Sequence, residues 1–455
     1  MRPATLLEAA QAMGADLHAA HSNALVSGAA TDSRKVREGD LFFALRGRTD
    51  GADFAPEAHL SGAVATVATR RLDVPTLVVD DPLEALQRLA RWTLLRQDTP
   101  AVVGITGTVG KTTTKDALAT ILRHAGKRVS ATAGNLNNEI GLPLTILASN
   151  PRTEVLVLEM GATHAGDIQY LCAIAPPDIG VLTAISPVHL DSFGTLEGLA
   201  AAKGELALSL PGSGTLVAPA GAPETATGSG RKLDRRITFA RAGEADLVAS
   251  EIEGTDDGLR FIVSIAGESA EVRSPVFGTH LVEPLLAALG GALALGVGLE
   301  QAARGLTRLQ RTGLRGDLYS LREGITVYDD SYNASPAAVA AVLEYGADQA
   351  RRQRRRLVVV LGGMFELGAC ARAYHREAGE LAARVGVDLL VCVGDEARWY
   401  AETFPGRALF YSNAETAADA LSTELRARDY LIVKGSRGVG LDTLTSKLRE
   451  SLALV

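Results

Sequence analysis

Two periodicities alternate along this 455-residue chain. Short apolar runs bounded by glycine or polar turns read as strands, and longer stretches with apolar residues every three to four positions read as helices. Met1 to Leu17 predicts a short amphipathic helix. Asp40 to Leu45, Ala63 to Ala68 and Thr76 to Val79 predict strands, with turns at Thr31-Asp32-Ser33-Arg34 and Gly47 to Gly51. Residues 1 to about 81 therefore form one module. Pro82 to Gln97 predicts a connecting helix, Ala101 to Ile105 a buried strand and Lys111 to Ala125 a helix. Glu154 to Leu158 and Asp178 to Ile185 are further strands, and Thr195 to Leu208 a helix. Residues 236 to 277 alternate apolar and polar positions and predict a small β insertion ending at Gly278-Thr279-His280. Helices follow to about residue 308. From Leu318 strands and helices alternate again, with strands at Thr326 to Tyr328, Leu357 to Leu361, Leu389 to Val393, Ala408 to Tyr411 and Tyr430 to Val433. That order predicts a second, doubly wound α/β domain.

The first strand–helix junction carries the strongest chemistry. From the strand end into the first turn of the helix runs Thr106-Gly107-Thr108-Val109-Gly110-Lys111-Thr112-Thr113. A helix N-terminus presents unpaired N–H groups and partial positive charge, so it attracts an anion. Glycines let the backbone wrap phosphate oxygens, a lysine reaches the β- and γ-phosphates, and a Thr hydroxyl ligates Mg2+. The glycines stand at 104, 107 and 110, with Ile at 105 where the general pattern has Gly.

Composition narrows the partners. The net charge is -7 and the pI about 5.7, against the basic face of a nucleic-acid binder. The one basic run, Arg351 to Arg356, ends a predicted helix, where cations favour the dipole. Three scattered cysteines, 172, 370 and 392, exclude a disulfide framework or zinc ribbon and fit a reducing cytosol. The acids within Met1 to Leu17 do not suit a signal peptide. Pro284 to Leu299, the longest uncharged apolar run, is shorter than the ~18 residues of a membrane span and predicts a buried helix.

Other candidates depend on position. Ser33 and Arg34 suit either a phosphate or uridine group or a capped turn. Asn135, Asn137 and Asn138 suit either a ligand or the loop's own backbone. Glu159 ends the strand predicted beside the phosphate loop, where a second Mg2+ ligand belongs. His189 lies just past the next strand end. Lys203 is the only lysine between Lys127 and Lys232 in a chain that prefers arginine. Dinucleotide binding is disfavoured, because no Gly-x-Gly-x-x-Gly with a downstream acid occurs.

Taken together, seven blocks resemble the Mur ligase family, which builds the peptidoglycan precursor. They are Thr31 to Gly51, Thr106 to Lys115, Gly134 to Pro143, Glu159 to Ala162, His189 to Glu205, Asp329 to Pro336 and Lys434 to Gly438. The resemblance implies a three-domain α/β fold. Residues 1–81 would be a small UDP-substrate domain. Residues 82–312 would be a P-loop ATPase domain with a parallel sheet and the β insertion. Residues 313–455 would be a Rossmann-like ligase domain. It implies a cytoplasmic, monomeric enzyme that uses ATP to join D-alanyl-D-alanine to UDP-N-acetylmuramoyl-tripeptide through an acyl phosphate. Gly107, Thr108, Val109, Gly110, Lys111, Thr112 and Thr113 would hold ATP, with Asp330 and Asn333 at the nucleotide. Thr112 and Glu159 would bind one Mg2+ and His189 a second. Lys111, His189 and Lys203 would be catalytic, Lys203 as a carbamate. Ser33 and Arg34 would lie near the UDP end. Asn135, Asn137, Asn138, Ser436 and Arg437 would contact substrate. The chain departs from the family pattern at Val109, Pro284, Gly363 and Asp317, the last in a Gly316-Asp317 pair that Arg315 precedes.

Overall fold

The computed structural model describes residues 1–19, 21–96, 100–187, 190–228, 230–255, 257–310 and 313–453. Among the described residues it contains two large sheets, a five-stranded N-terminal sheet and a two-stranded pair of Ala4–Thr5 with Leu25–Val26. The N-terminal sheet runs in the order Asp16–His18, Thr76–Val78, Ala65–Ala68, Asp40–Phe43, Gly28–Ala30, parallel apart from its first pair. The N-terminal helix is shorter than its apolar pattern suggests, Leu6–Met13. Thr5 and Glu8 form a capping box at its start, and Gly14 ends it at φ 70°. The next residues are drawn into the sheet, where Asp16–His18 pairs with Thr76–Val78.

The helix Pro82–Arg96 belongs to a core shared by two modules. Leu86, Leu89 and Ala90 pack with Leu41 and Phe43 of the N-terminal sheet and with Leu156, Leu158 and Ile168 of the central unit. Burying both apolar sides of one helix ties the modules together without a long linker.

The central sheet has nine strands. From one edge they are Glu268–Ser274, Gly258–Ile265, Leu247–Thr255, Arg235–Ala240, Thr215–Pro219, Ile179–Leu182, Ala101–Thr106, Val155–Glu159 and Val129–Ala131. The strands of residues 236–277 join this sheet's edge: Arg235–Ala240 pairs in parallel with Thr215–Pro219 and with Leu247–Thr255, and only Gly258–Ile265 runs antiparallel to its two neighbours. Helices Lys111–His124, Val282–Ala294 and Leu299–Gly305 cover one face. The apolar run at Pro284 is buried there, and no helix among the described residues is long and apolar enough to cross a membrane.

The C-terminal sheet runs Asp317–Ser320, Thr326–Asp330, Tyr430–Lys434, Leu357–Gly362, Leu389–Val393, Arg407–Tyr411. Only the first pair is antiparallel. Both faces are covered, which is why its strands read as continuous apolar runs. The carboxyl ends of its strands and of the central sheet's parallel strands contribute to one cleft, where open α/β sheets collect ligands.

Candidate active site

A cavity of about 980 Å³ lies between the central and C-terminal sheets. Its floor is the turn after Ala101–Thr106. Gly110 adopts φ 82° at the helix start, and a Cβ there would come within 2.9 Å of Pro284. Gly107 is equally constrained, because a Cβ would overlap the Thr183 hydroxyl. Thr183, at the end of the neighbouring strand, donates to the Val109 carbonyl at 2.6 Å. The Thr108 amide donates to the Ala184 carbonyl at 2.9 Å, and the Ser186 amide donates to the Thr108 hydroxyl at 3.0 Å. The loop is thus pinned from the strand beside it. Val109 contributes through its backbone, so its side-chain departure leaves these bonds intact.

The Lys111 ammonium donates to the carbonyls of Gly107 at 2.8 Å and Thr108 at 3.2 Å. Burial pushes its pKa down, partly countered by the Glu159 carboxylate, while Arg315 adds to the lowering. Glu159 is in register with Ile105 on the adjacent strand, which brings its carboxylate to the helix start. Thr112 donates to one carboxylate oxygen at 2.9 Å and the Asn137 amide to the other at 2.9 Å. A buried carboxylate beside a hydroxyl is an oxygen donor set suited to Mg2+.

The asparagine loop divides its labour. Asn137 holds Glu159, and its carbonyl accepts from the Gly161 amide at 2.8 Å. Asn138 accepts from the amides of Ile140 and Gly141, starting the helix Gly141–Leu147. The Asn138 side chain therefore serves the loop itself and the Asn137 side chain holds Glu159, while all three asparagines line the cavity.

Lys203 lies on the helix Leu196–Ser209, is 2 % exposed and donates to the Ala162 carbonyl at 3.2 Å. Burial and then the nearby Lys111 push its pKa down to about 7. His189 falls outside the described residues.

The opposite wall comes from the C-terminal sheet. Lys434, buried at the end of its strand, pairs with the Asp330 carboxylate and donates to the Asn333 carbonyl at 2.9 Å. Asp330 and Asn333 face the cavity from there. The Ser436 hydroxyl accepts from the Phe365 amide at 3.0 Å, and Arg437 pairs with Asp442 at 2.8 Å. Arg315 lies 3.9 Å from the Tyr332 ring centre. His280 also lines the cavity, and burial pushes its pKa down to about 4.

Ser33 and Arg34 do not line this cavity. They form a capped turn: Asp32 accepts from the Arg34 amide and pairs with its guanidinium, and Ser33 donates to Glu57 at 2.7 Å. The Arg34 side chain stays 80 % exposed.

Three family descriptions match the chain in order: Mur ligase family, catalytic domain, over residues 25–92; Mur ligase middle domain over 105–292; and Mur ligase, glutamate ligase domain, over 314–437. The chain is also 33% identical over 429 residues to the UDP-N-acetylmuramoyl-tripeptide–D-alanyl-D-alanine ligase of Escherichia coli (strain K12), covering 92% of this chain and 93% of that one. The chain belongs to the Mur ligase family. The ligase of the same name from Bacillus subtilis (strain 168) is 32% identical over 442 residues, 95% of each chain. MurF from Acinetobacter baumannii superposes with a TM-score of 0.89 at 29% identity, over 99% of both chains. MurF ligase from Thermotoga maritima in complex with ADP gives 0.81 at 30% identity, over 94% of this chain and 98% of that one.

As a Mur ligase, the chain has more cavity residues than its motifs indicate. Arg241 and Tyr170 line the site but belong to no recognisable pattern. Arg241 follows the strand Arg235–Ala240, so only the pairing of that strand onto the central sheet brings it in. Lys434 opens one of the blocks that resemble the family, and it is also a lysine ending an apolar strand in an arginine-rich chain.

Proposed function

We propose that this chain is the Mur ligase that joins D-alanyl-D-alanine to UDP-N-acetylmuramoyl-tripeptide at the expense of ATP, through an acyl phosphate. One observation carries the reading. Lys111, Thr112 and Glu159 on the central sheet face Asp330, Asn333 and Arg437 on the C-terminal sheet across one cavity. ATP use is supported by the ADP complex of the Thermotoga maritima relative.

The chemistry needs that arrangement. A carboxylate is a poor electrophile and repels the triphosphate. Lys111 and the amides at the helix start would hold the phosphates and offset the charge that gathers on them. Thr112 and Glu159 would hold Mg2+, and His189 a second ion. Bound Mg2+ supplies further neutralisation of phosphate charge. Asp330 and Asn333 would orient the nucleotide, with Lys434 fixing both. Ser436 and Arg437 would place the dipeptide so that its amine meets the activated carbonyl. Lys203, as a carbamate, would turn a buried cation into an anion beside the metal site. Ser33 and Arg34 would hold the UDP end, leaving the tripeptide to reach the cavity past the asparagine loop. The corresponding domains are 1–81, 82–312 and 313–455.

The test is ADP release measured with each substrate omitted in turn. The reading predicts turnover only when both UDP-N-acetylmuramoyl-tripeptide and D-alanyl-D-alanine are present. A nucleotide-binding switch would hydrolyse ATP without them, and that result would overturn the reading.

A further inference from the structure

Gln87 sits outside the cavity, on the helix Pro82–Arg96 that joins the N-terminal module to the central unit. It is 6 % exposed among apolar neighbours, and its carboxamide is used at both ends. Its nitrogen donates to the Glu139 carbonyl at 3.0 Å, and its oxygen accepts from the Tyr170 hydroxyl. Both partners line the cavity, from different elements. Glu139 belongs to the asparagine loop, whose Asn137 holds Glu159. Tyr170 belongs to the helix Asp167–Ile174, whose first turn is fixed from the other side by Glu205, accepting from the amides of Gly166 at 2.6 Å and Gln169 at 3.0 Å.

We infer that Gln87 is a positioning residue for the acceptor. It sets the separation between the asparagine loop and the Tyr170 helix, and so shapes the wall that the acceptor peptide crosses between the N-terminal module and Lys111. This rests on the function proposed above, because it needs an acceptor anchored on the N-terminal side. The physical basis is that a buried amide with two partners admits one geometry. An apolar side chain of the same length keeps the packing but removes both hydrogen bonds, so the carbonyl of the exposed Glu139 and the hydroxyl of the half-exposed Tyr170 turn to water and the two walls can then drift independently.

The experiment compares Gln87→Met, Tyr170→Phe and the double variant with wild type, by steady-state kinetics in each substrate. Tyr170→Phe removes one hydroxyl and keeps the ring in the wall, so it remains informative if Gln87→Met does not fold. The inference predicts that KM for UDP-N-acetylmuramoyl-tripeptide rises about tenfold in each single variant. KM for ATP and for D-alanyl-D-alanine should stay within about twofold, and the double variant should be no worse than the worse single one. An unchanged acceptor KM in Tyr170→Phe, or an ATP KM that rises in step with it, overturns the inference. A wild-type protein with no acceptor-dependent ADP release overturns the proposed function, and this inference with it. Normal wild-type turnover with unaltered variants overturns this inference alone.

Discussion

Lys111 reaches across its own loop to two carbonyls, a stance a triphosphate would take over. Its charge is costly to bury, and a site that bears this cost should lose much when the charge goes. Lys111→Ala should lower the ligation rate by about 10²-fold or more, read by steady-state kinetics. A variant near the wild-type rate would remove the phosphate-loop assignment. Lys203 poses a sharper choice. An exposed lysine would tolerate alanine, but this one is buried with its pKa lowered to about 7. Lowering a cation's pKa means the neutral amine gains as pH rises through 7, and only the neutral amine adds CO2. Ligation in bicarbonate should therefore rise with pH across that window. Lys203→Ala should be inactive and partly rescued by short carboxylic acids that fill the same gap. A fully active Lys203→Ala protein would contradict the carbamate. Lys203 stood out as a rare lysine, though only the family resemblance set it apart from a surface one, and Glu159 stood out because it ends a strand. Gln87 and Arg241 did not, since their importance depends on which elements touch.

The loop of residues 107–110, between Ala101–Thr106 and Lys111–His124, is the element that the rest of the site hangs on. Its glycines mark where the backbone takes shapes closed to other residues. Gly110→Ala would require φ 82° of an alanine and press a Cβ against the Pro284 ring. We expect a loss of about 1–2 kcal/mol in folding stability and a raised ATP KM, read by thermal unfolding and kinetics. Unchanged values of both would mean that the loop does not need this geometry. The buried strands were legible from their apolar runs, and the cavity-facing ends of Ala101–Thr106 and Val155–Glu159 with them. The first helix was read too long, because Gly14 stops it and strand pairing claims the residues beyond. The alternation in residues 236–277 showed strands, while their attachment to the central sheet is a long-range pairing that alternation does not encode.

The whole molecule brings the chemistry of two sheets to one cavity and ties a third sheet to it through a shared core. The N-terminal sheet shares a core with the central unit through Pro82–Arg96. The C-terminal sheet closes the far side of the cavity with Asp330, Lys434 and Arg437. Such an arrangement suits a reaction with three substrates, and its central claim is the identity of the bond made. The direct measurement is the mass of the product after incubation with ATP, Mg2+, UDP-N-acetylmuramoyl-tripeptide and a mixture of D-alanyl-D-alanine with single amino acids, glutamate included. The account predicts one product, heavier than the acceptor by the dipeptide less one water, formed with one ADP per bond. Addition of a single amino acid instead, or ADP without any new amide, would contradict it.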